Sequence, residues 1–104
     1  MKLKRYEILL PLTYNDGSPI EPEKFEQTIE ELINQFGAAT FDSVIASGHW
    51  VYKGILYKDE LIRFRVDVGE SSETRKFFEE YKKVLKERFN QIDIWITVND
   101  IEVI

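Results

Sequence analysis

An α+β domain of order β-α-β-β-α-β, an antiparallel sheet with two helices on one face, follows from three features of the sequence. Apolar residues recur at helical spacing in two separate stretches, one opening near Pro22 and one near Ser71 or Ser72. Elsewhere they alternate at strand spacing. The stretch from Phe41 to Val68 reads as one long β-hairpin pivoting on Lys53-Gly54, because glycine takes the positive φ a two-residue turn needs and β-branched and aromatic residues crowd both flanks.

Taken in order, Tyr6, Ile8 and Leu10 alternate with Arg5, Glu7 and Leu9 to give a first strand that Pro11 borders. The segment Asn15-Asp16-Gly17-Ser18-Pro19 is a turn-rich connection. Pro22 suits a first helical position, since its missing N–H would have had no partner. Phe25, Ile29, Leu32, Ile33 and Phe36 form the apolar stripe of that helix, and Gly37 ends it. In the hairpin, Tyr52 is expected opposite Ile55, Trp50 opposite Tyr57, Gly48 opposite Asp59 and Ala46 opposite Leu61. His49 then points to the face opposite Trp50.

Gly69 breaks the strand after Val68, and Ser71 or Ser72 caps a second helix. Its buried stripe is Phe77 or Phe78 with Tyr81, Val84, Leu85 and Phe89. Glu70 and Glu73 near its start and Lys82, Lys83, Lys86 and Arg88 near its end match the helix dipole. Asn90-Gln91 closes it. Ile92, Ile94, Ile96 and Val98 alternate with Asp93, Trp95 and Thr97 as a last strand, Asn99-Asp100 reads as a turn, and Ile101 to Ile104 as a short extra strand or docked tail.

This order fits a ferredoxin-like split βαβ arrangement, with the first and third strands central. Two helices cover one side of such a sheet. The uncovered side is expected to carry Arg5, Glu7, Leu9, Val44, Ala46, Trp50, Tyr52, Tyr57, Leu61, Arg63, Arg65, Asp67 and Trp95, which is too apolar a set to stay in water. One reading is a homodimer that covers this face, with Arg63, Arg65, Glu7 and Asp67 pairing across a two-fold axis. The other is a pocket in which Trp50, Tyr57, Arg63 and Arg65 hold a small anionic or planar ligand.

Composition narrows the chemistry. A single domain is expected from 104 residues, and its net charge of −5 lacks the positive field that nucleic-acid binding draws on. The chain has no cysteine, which removes disulfides, thiolate nucleophiles and zinc-thiolate sites together. With one histidine and scattered carboxylates there is no standard metal-ligand set, and neither GxxxxGK[ST] nor GxGxxG is present, so no cofactor is expected. An aromatic open face is similar to that of RNA-recognition domains, but their basic-Gly-aromatic motif is missing from LIRFRVDV. The apolar run after MKLKR is too short for a signal segment and no stretch has membrane-spanning length, so a cytoplasmic protein without membrane contact is expected.

His49 is the candidate general acid or base. Glu60 is its carboxylate neighbour, because the expected register puts Lys58 opposite His49 and Glu60 opposite Ser47 on one face. The Ser71-Ser72 pair before a helix is accounted for by capping.

Asp16-Gly17 after the first strand, Gly48-His49-Trp50 in the second, Glu60 in the third and Arg88-Phe89-Asn90-Gln91 at the end of the second helix together resemble a family of small bacterial proteins of unknown function. The resemblance implies that Trp50, Glu60, Arg88 and Gln91 form one cluster near a sheet end, and it brings no activity with it. In size and element order the chain is also similar to dimeric α+β barrel proteins, which include small monooxygenases and isomerases. The expectation is a homodimeric binding or interaction domain working through the open face of the hairpin. The alternative is a small enzyme of the dimeric barrel type using His49 with Glu60.

Overall fold

The computed structural model describes the backbone of all 104 residues and every side chain except those of residues 43–48 and 57–59. Strand β1 (Lys2–Pro11), helix α1 (Pro22–Phe36), strands β2 (Thr40–Tyr52) and β3 (Ile55–Val68), helix α2 (Ser72–Arg88) and strand β4 (Trp95–Glu102) follow the order read from the sequence. They build a four-stranded sheet, β2-β3-β1-β4, in which every neighbouring pair is antiparallel. β1 and β3 are the inner strands, as right-handed crossovers require.

Local chemistry sets the helix ends. Pro22 opens α1, and Gly37 closes it at φ 84° with its N–H donating to the Ile33 carbonyl at 2.7 Å. The Ser71 hydroxyl caps α2 by accepting the Thr74 N–H at 3.0 Å. Both helices lie on one face of the sheet. Leu32 of α1 and Phe78, Tyr81 and Leu85 of α2 share a single buried cluster with Phe89, Tyr6, Ile8, Leu10, Phe64, Val66 and Ile94. Aromatic rings tie the layers together: Tyr6 stacks on Phe78 at 4.1 Å, and Phe36 stacks on Phe78 at 5.3 Å. Two stripe residues differ from expectation, since Ile33 and Val84 are 43% and 44% exposed. Each is one step, about 100° of helix, from a fully buried leucine, Leu32 or Leu85.

The last strand also differs. Residues 92–94 precede β4, and Asn99 and Asp100, read as a turn, lie within it opposite Arg5 and Lys4. Lys4 bridges the Asp100 and Glu70 carboxylates, while the Met1 ammonium donates to the Val103 carbonyl at 2.8 Å. The reason is the length of β1. Starting at Lys2, it offers ladder partners as far as Glu102, and these outweigh the local turn preference of an Asn-Asp pair.

Between the helices sits a polar pin. The Arg88 guanidinium, 10% exposed, lies 2.7 Å from Glu31 Oε1 and 2.8 Å from Oε2, and it donates to the buried Thr28 hydroxyl at 2.9 Å. The Tyr81 hydroxyl donates to Glu31 at 2.8 Å. Burial, then the adjacent Glu31 carboxylate, push the Tyr81 phenol well above its ordinary range, and burial raises Tyr6 as well. Because ionisation is harder in the folded chain, these two phenols contribute stability below about pH 10 that is lost as the pH rises further. In an alkaline titration followed by ultraviolet absorbance, Tyr6 and Tyr81 should ionise only together with loss of the fold. Full phenolate absorbance reached before unfolding would count against this packing.

Candidate functional site

The hairpin is paired as its residue pattern predicts. Tyr52 faces Ile55, Trp50 faces Tyr57, Gly48 faces Asp59 and Ala46 faces Leu61. Lys53 and Gly54 form the turn at φ 49° and 79°, both in the left-handed region that a two-residue hairpin turn demands. β1 stops pairing at Pro11 opposite Leu61, and Leu12 N–H donates to the Glu60 carbonyl at 2.9 Å. Beyond that point β2 and β3 continue alone as a two-stranded arm of about 20 Å. Val51, Tyr52, Ile55 and Leu56 on it are 40–67% exposed.

One irregularity interrupts the pairing. From Ala46 opposite Leu61 the register passes to Asp42 opposite Arg63, four residues of β2 against two of β3. The shift is even, so it keeps the faces in phase. It also brings Asp42 between two arginines, and its carboxylate accepts from Arg63 Nε at 2.9 Å and from Arg65 Nη2 at 3.1 Å. Glu7 lies 3.9 Å from Arg63. Arg5 grips Asp67 with two bonds of 2.8 and 3.0 Å, which hold that carboxyl below the usual carboxylate range.

The open face therefore divides in two. One end is a network of charges paired within the chain, in which Arg65 Nε is a buried donor left without a hydrogen-bond partner among the described residues. The other end, at the root of the arm, is apolar. A cleft of about 410 Å³ lies there. Leu9 and Pro11 of β1, Leu61 of β3 and Trp95 of β4 line it, with His49 and Trp50 of β2 and with Gln91, Asp93 and Ile94 from the connection between α2 and β4.

The connection presents its residues through backbone geometry. Asn90 takes φ 50°, a conformation its short side chain tolerates, and Gln91 N–H then donates to the Lys86 carbonyl at 2.9 Å. The Gln91 side-chain amide, in a residue only 8% exposed, donates to the Phe89 carbonyl at 2.9 Å. Asp93 Oδ1 accepts from Ile94 N–H at 2.9 Å and from Lys82 Nζ at 3.1 Å. A wall of two indoles, two leucines and a proline with a few polar groups is the usual build of a small-molecule site.

Of the residues singled out from the sequence, His49, Trp50 and Gln91 meet in this cleft. His49 and Trp50 alternate along β2, yet both contribute to its wall. Glu60 is exposed and outside the wall; among the described residues no hydrogen bond or ion pair joins it to His49. Arg63 and Arg65 are away from the cleft and engaged by Asp42. The Tyr57 side chain lies outside the described residues.

The cluster implied by the bacterial family does not form. Trp50 and Gln91 line the cleft, while Arg88 is bound between the helices to Thr28 and Glu31. Asp93, Pro11 and Ile94 were not singled out; the signal available for Asp93 was its alternation with Ile92 and Ile94, which placed it on the side opposite the core. Among the described residues no group of three or more His, Asp or Glu is placed to hold a metal ion, and no helix is long and apolar enough to cross a membrane.

No family model matches the chain, and no curated protein does. Among solved structures it is similar to a phage SAM lyase in complex with S-methyl-5′-thioadenosine, at a TM-score of 0.70 and 18% identity, over 97% of this chain and 90% of that chain. At this identity the likeness is one of fold.

Proposed function

We propose that this chain is a small-ligand-binding domain whose cleft, at the root of the hairpin arm, takes a planar molecule of nucleoside size. The observation that carries the reading is the convergence of both tryptophans of the chain, Trp50 and Trp95, on one apolar cleft assembled from all four strands and the loop before β4. Its volume of about 410 Å³ falls in the range of small-molecule sites. A protein of the same fold, matched over nearly its whole length, holds S-methyl-5′-thioadenosine, a planar base on a ribose. The expected ligand changes in one respect: the arginines that favoured an anion are both engaged by Asp42, away from the cleft.

Because both indoles line the site, their emission reports on it directly. Titration with S-methyl-5′-thioadenosine should quench or shift tryptophan fluorescence in a saturable way, and Trp95→Ala should weaken binding by about tenfold or more, as loss of a stacking partner does. No saturable change up to millimolar ligand would refute the reading.

The arm supports self-association as part of the same function. A two-stranded ribbon is marginal alone, and this one exposes Val51 and Leu56 on one face and Tyr52 and Ile55 on the other. A second copy covering the arm and the apolar end of the sheet accounts for both. Light scattering should give a multiple of 12.3 kDa that Val51→Lys with Leu56→Lys reduces to the single-chain mass. A wild-type monomer at micromolar concentration would exclude it.

One observation favours a catalytic reading beside the binding one. His49, the only histidine, stands in the cleft wall as a group able to move a proton near neutral pH. Incubation with S-adenosylmethionine followed by chromatography tests this: turnover that persists in His49→Ala would remove the role.

A further inference from the structure

We infer that the cleft is selective for ligand charge, taking planar molecules that carry a positive group near Asp93 and discriminating against phosphorylated ones. The inference rests on the binding function proposed for this cleft and adds the chemistry of its occupant. Among the described residues, Asp93 is the only carboxylate in its wall and no lysine or arginine contributes to it. Asp93 Oδ1 takes the Ile94 N–H and lies 3.1 Å from Lys82 Nζ, while Oδ2 accepts no hydrogen bond from the described residues.

Among the described residues, the cations nearest this face are already paired with carboxylates of the chain. Arg63 and Arg65 are held by Asp42, Arg5 by Asp67, and Lys82 by Asp93 itself. Two indoles beside a carboxylate also suit a positive group, through the ring quadrupole and through direct charge pairing. The chain's net charge of −5 adds a field of the same sense.

Three probes with one base and one sugar but different charge at the 5′ position separate the possibilities: adenosine, 5′-amino-5′-deoxyadenosine and adenosine 5′-monophosphate. Calorimetric titration near pH 7.5 keeps the probe's alkylamine charged. The amine should bind about tenfold or more tightly than the monophosphate. Asp93→Asn, which can still accept from the Ile94 N–H, should shrink that ratio to about threefold or less, and Lys82→Gln, which releases the carboxylate from its partner, should widen it.

Equal or tighter binding of the monophosphate would overturn the charge selectivity and leave the cleft as a ligand site. A ratio unmoved by Asp93→Asn would overturn the role of Asp93. Absence of binding by any of the three would overturn the binding function and this inference together.

Discussion

Phe64→Ala should be the most damaging single substitution in the sheet, lowering stability by about 3–5 kcal/mol. Phe64 is 1% exposed on the inner strand β3, opposite Ile8 on one side and Phe41 on the other, and its side chain enters the shared core beneath both helices. Removing the ring leaves a void that two packed layers cannot close, since β1 and β2 fix the backbone of β3 on both edges. A domain of this size has about 5–15 kcal/mol in total, so the variant should be barely folded at physiological temperature. Its urea midpoint should fall by roughly 2 M. Trp95→Ala is the control. Trp95 is 63% exposed on the other face, and its loss should cost less than about 1 kcal/mol. Similar midpoints for the two variants would mean that the helix side of the sheet has been assigned to the wrong residues.

Glu31→Ala should cost more than Arg88→Ala, although both remove the same ion pair. Deleting Glu31 strands a guanidinium that is 10% exposed, with only the Thr28 hydroxyl left to it, and an uncompensated buried charge is worth about 3 kcal/mol. Deleting Arg88 leaves Glu31, whose side chain is 37% exposed, still hydrated and still bonded to the Tyr81 hydroxyl, while Thr28 keeps its bond to the Lys24 carbonyl at 2.8 Å. That loss should be about 1.5–2 kcal/mol. Chemical denaturation of the two single variants and the double variant gives the order and the coupling. A larger loss for Arg88→Ala would show that the pair is stabilised chiefly by packing of the arginine stem, and Arg88→Met would then restore most of it.

Much of the architecture was legible because its causes are local. Lys53-Gly54 could be read as the pivot since few pairs accept two positive φ values, and once the pivot is known the opposite residues follow one by one to Ala46 and Leu61. Pro22, Gly37 and Ser71 marked helix ends for reasons internal to a turn or two of chain. The candidate site was less legible. Trp50, His49 and Gln91 could be named, but Arg63 and Arg65 were assigned to a ligand although the unshifted register already sets Asp42 opposite Arg65; the shift that sets it opposite Arg63 instead has no local signal. Arg88 presented the same difficulty: its place at the end of α2 suited a dipole argument, and its partners lie on the other helix, 57 and 60 positions away.

The amino-acid order by itself determined the element sequence, the turn of the hairpin and its register as far as Ala46 and Leu61, and which residues of β1 and β3 enter the core, because periodicity and backbone preference act over a few neighbouring residues. The tertiary structure alone decided how far β4 extends, that one carboxylate engages both arginines, and that Trp50, Trp95, Gln91 and Asp93 enclose one cleft. These depend on distances between segments remote in the chain, and such distances are set only when the layers pack.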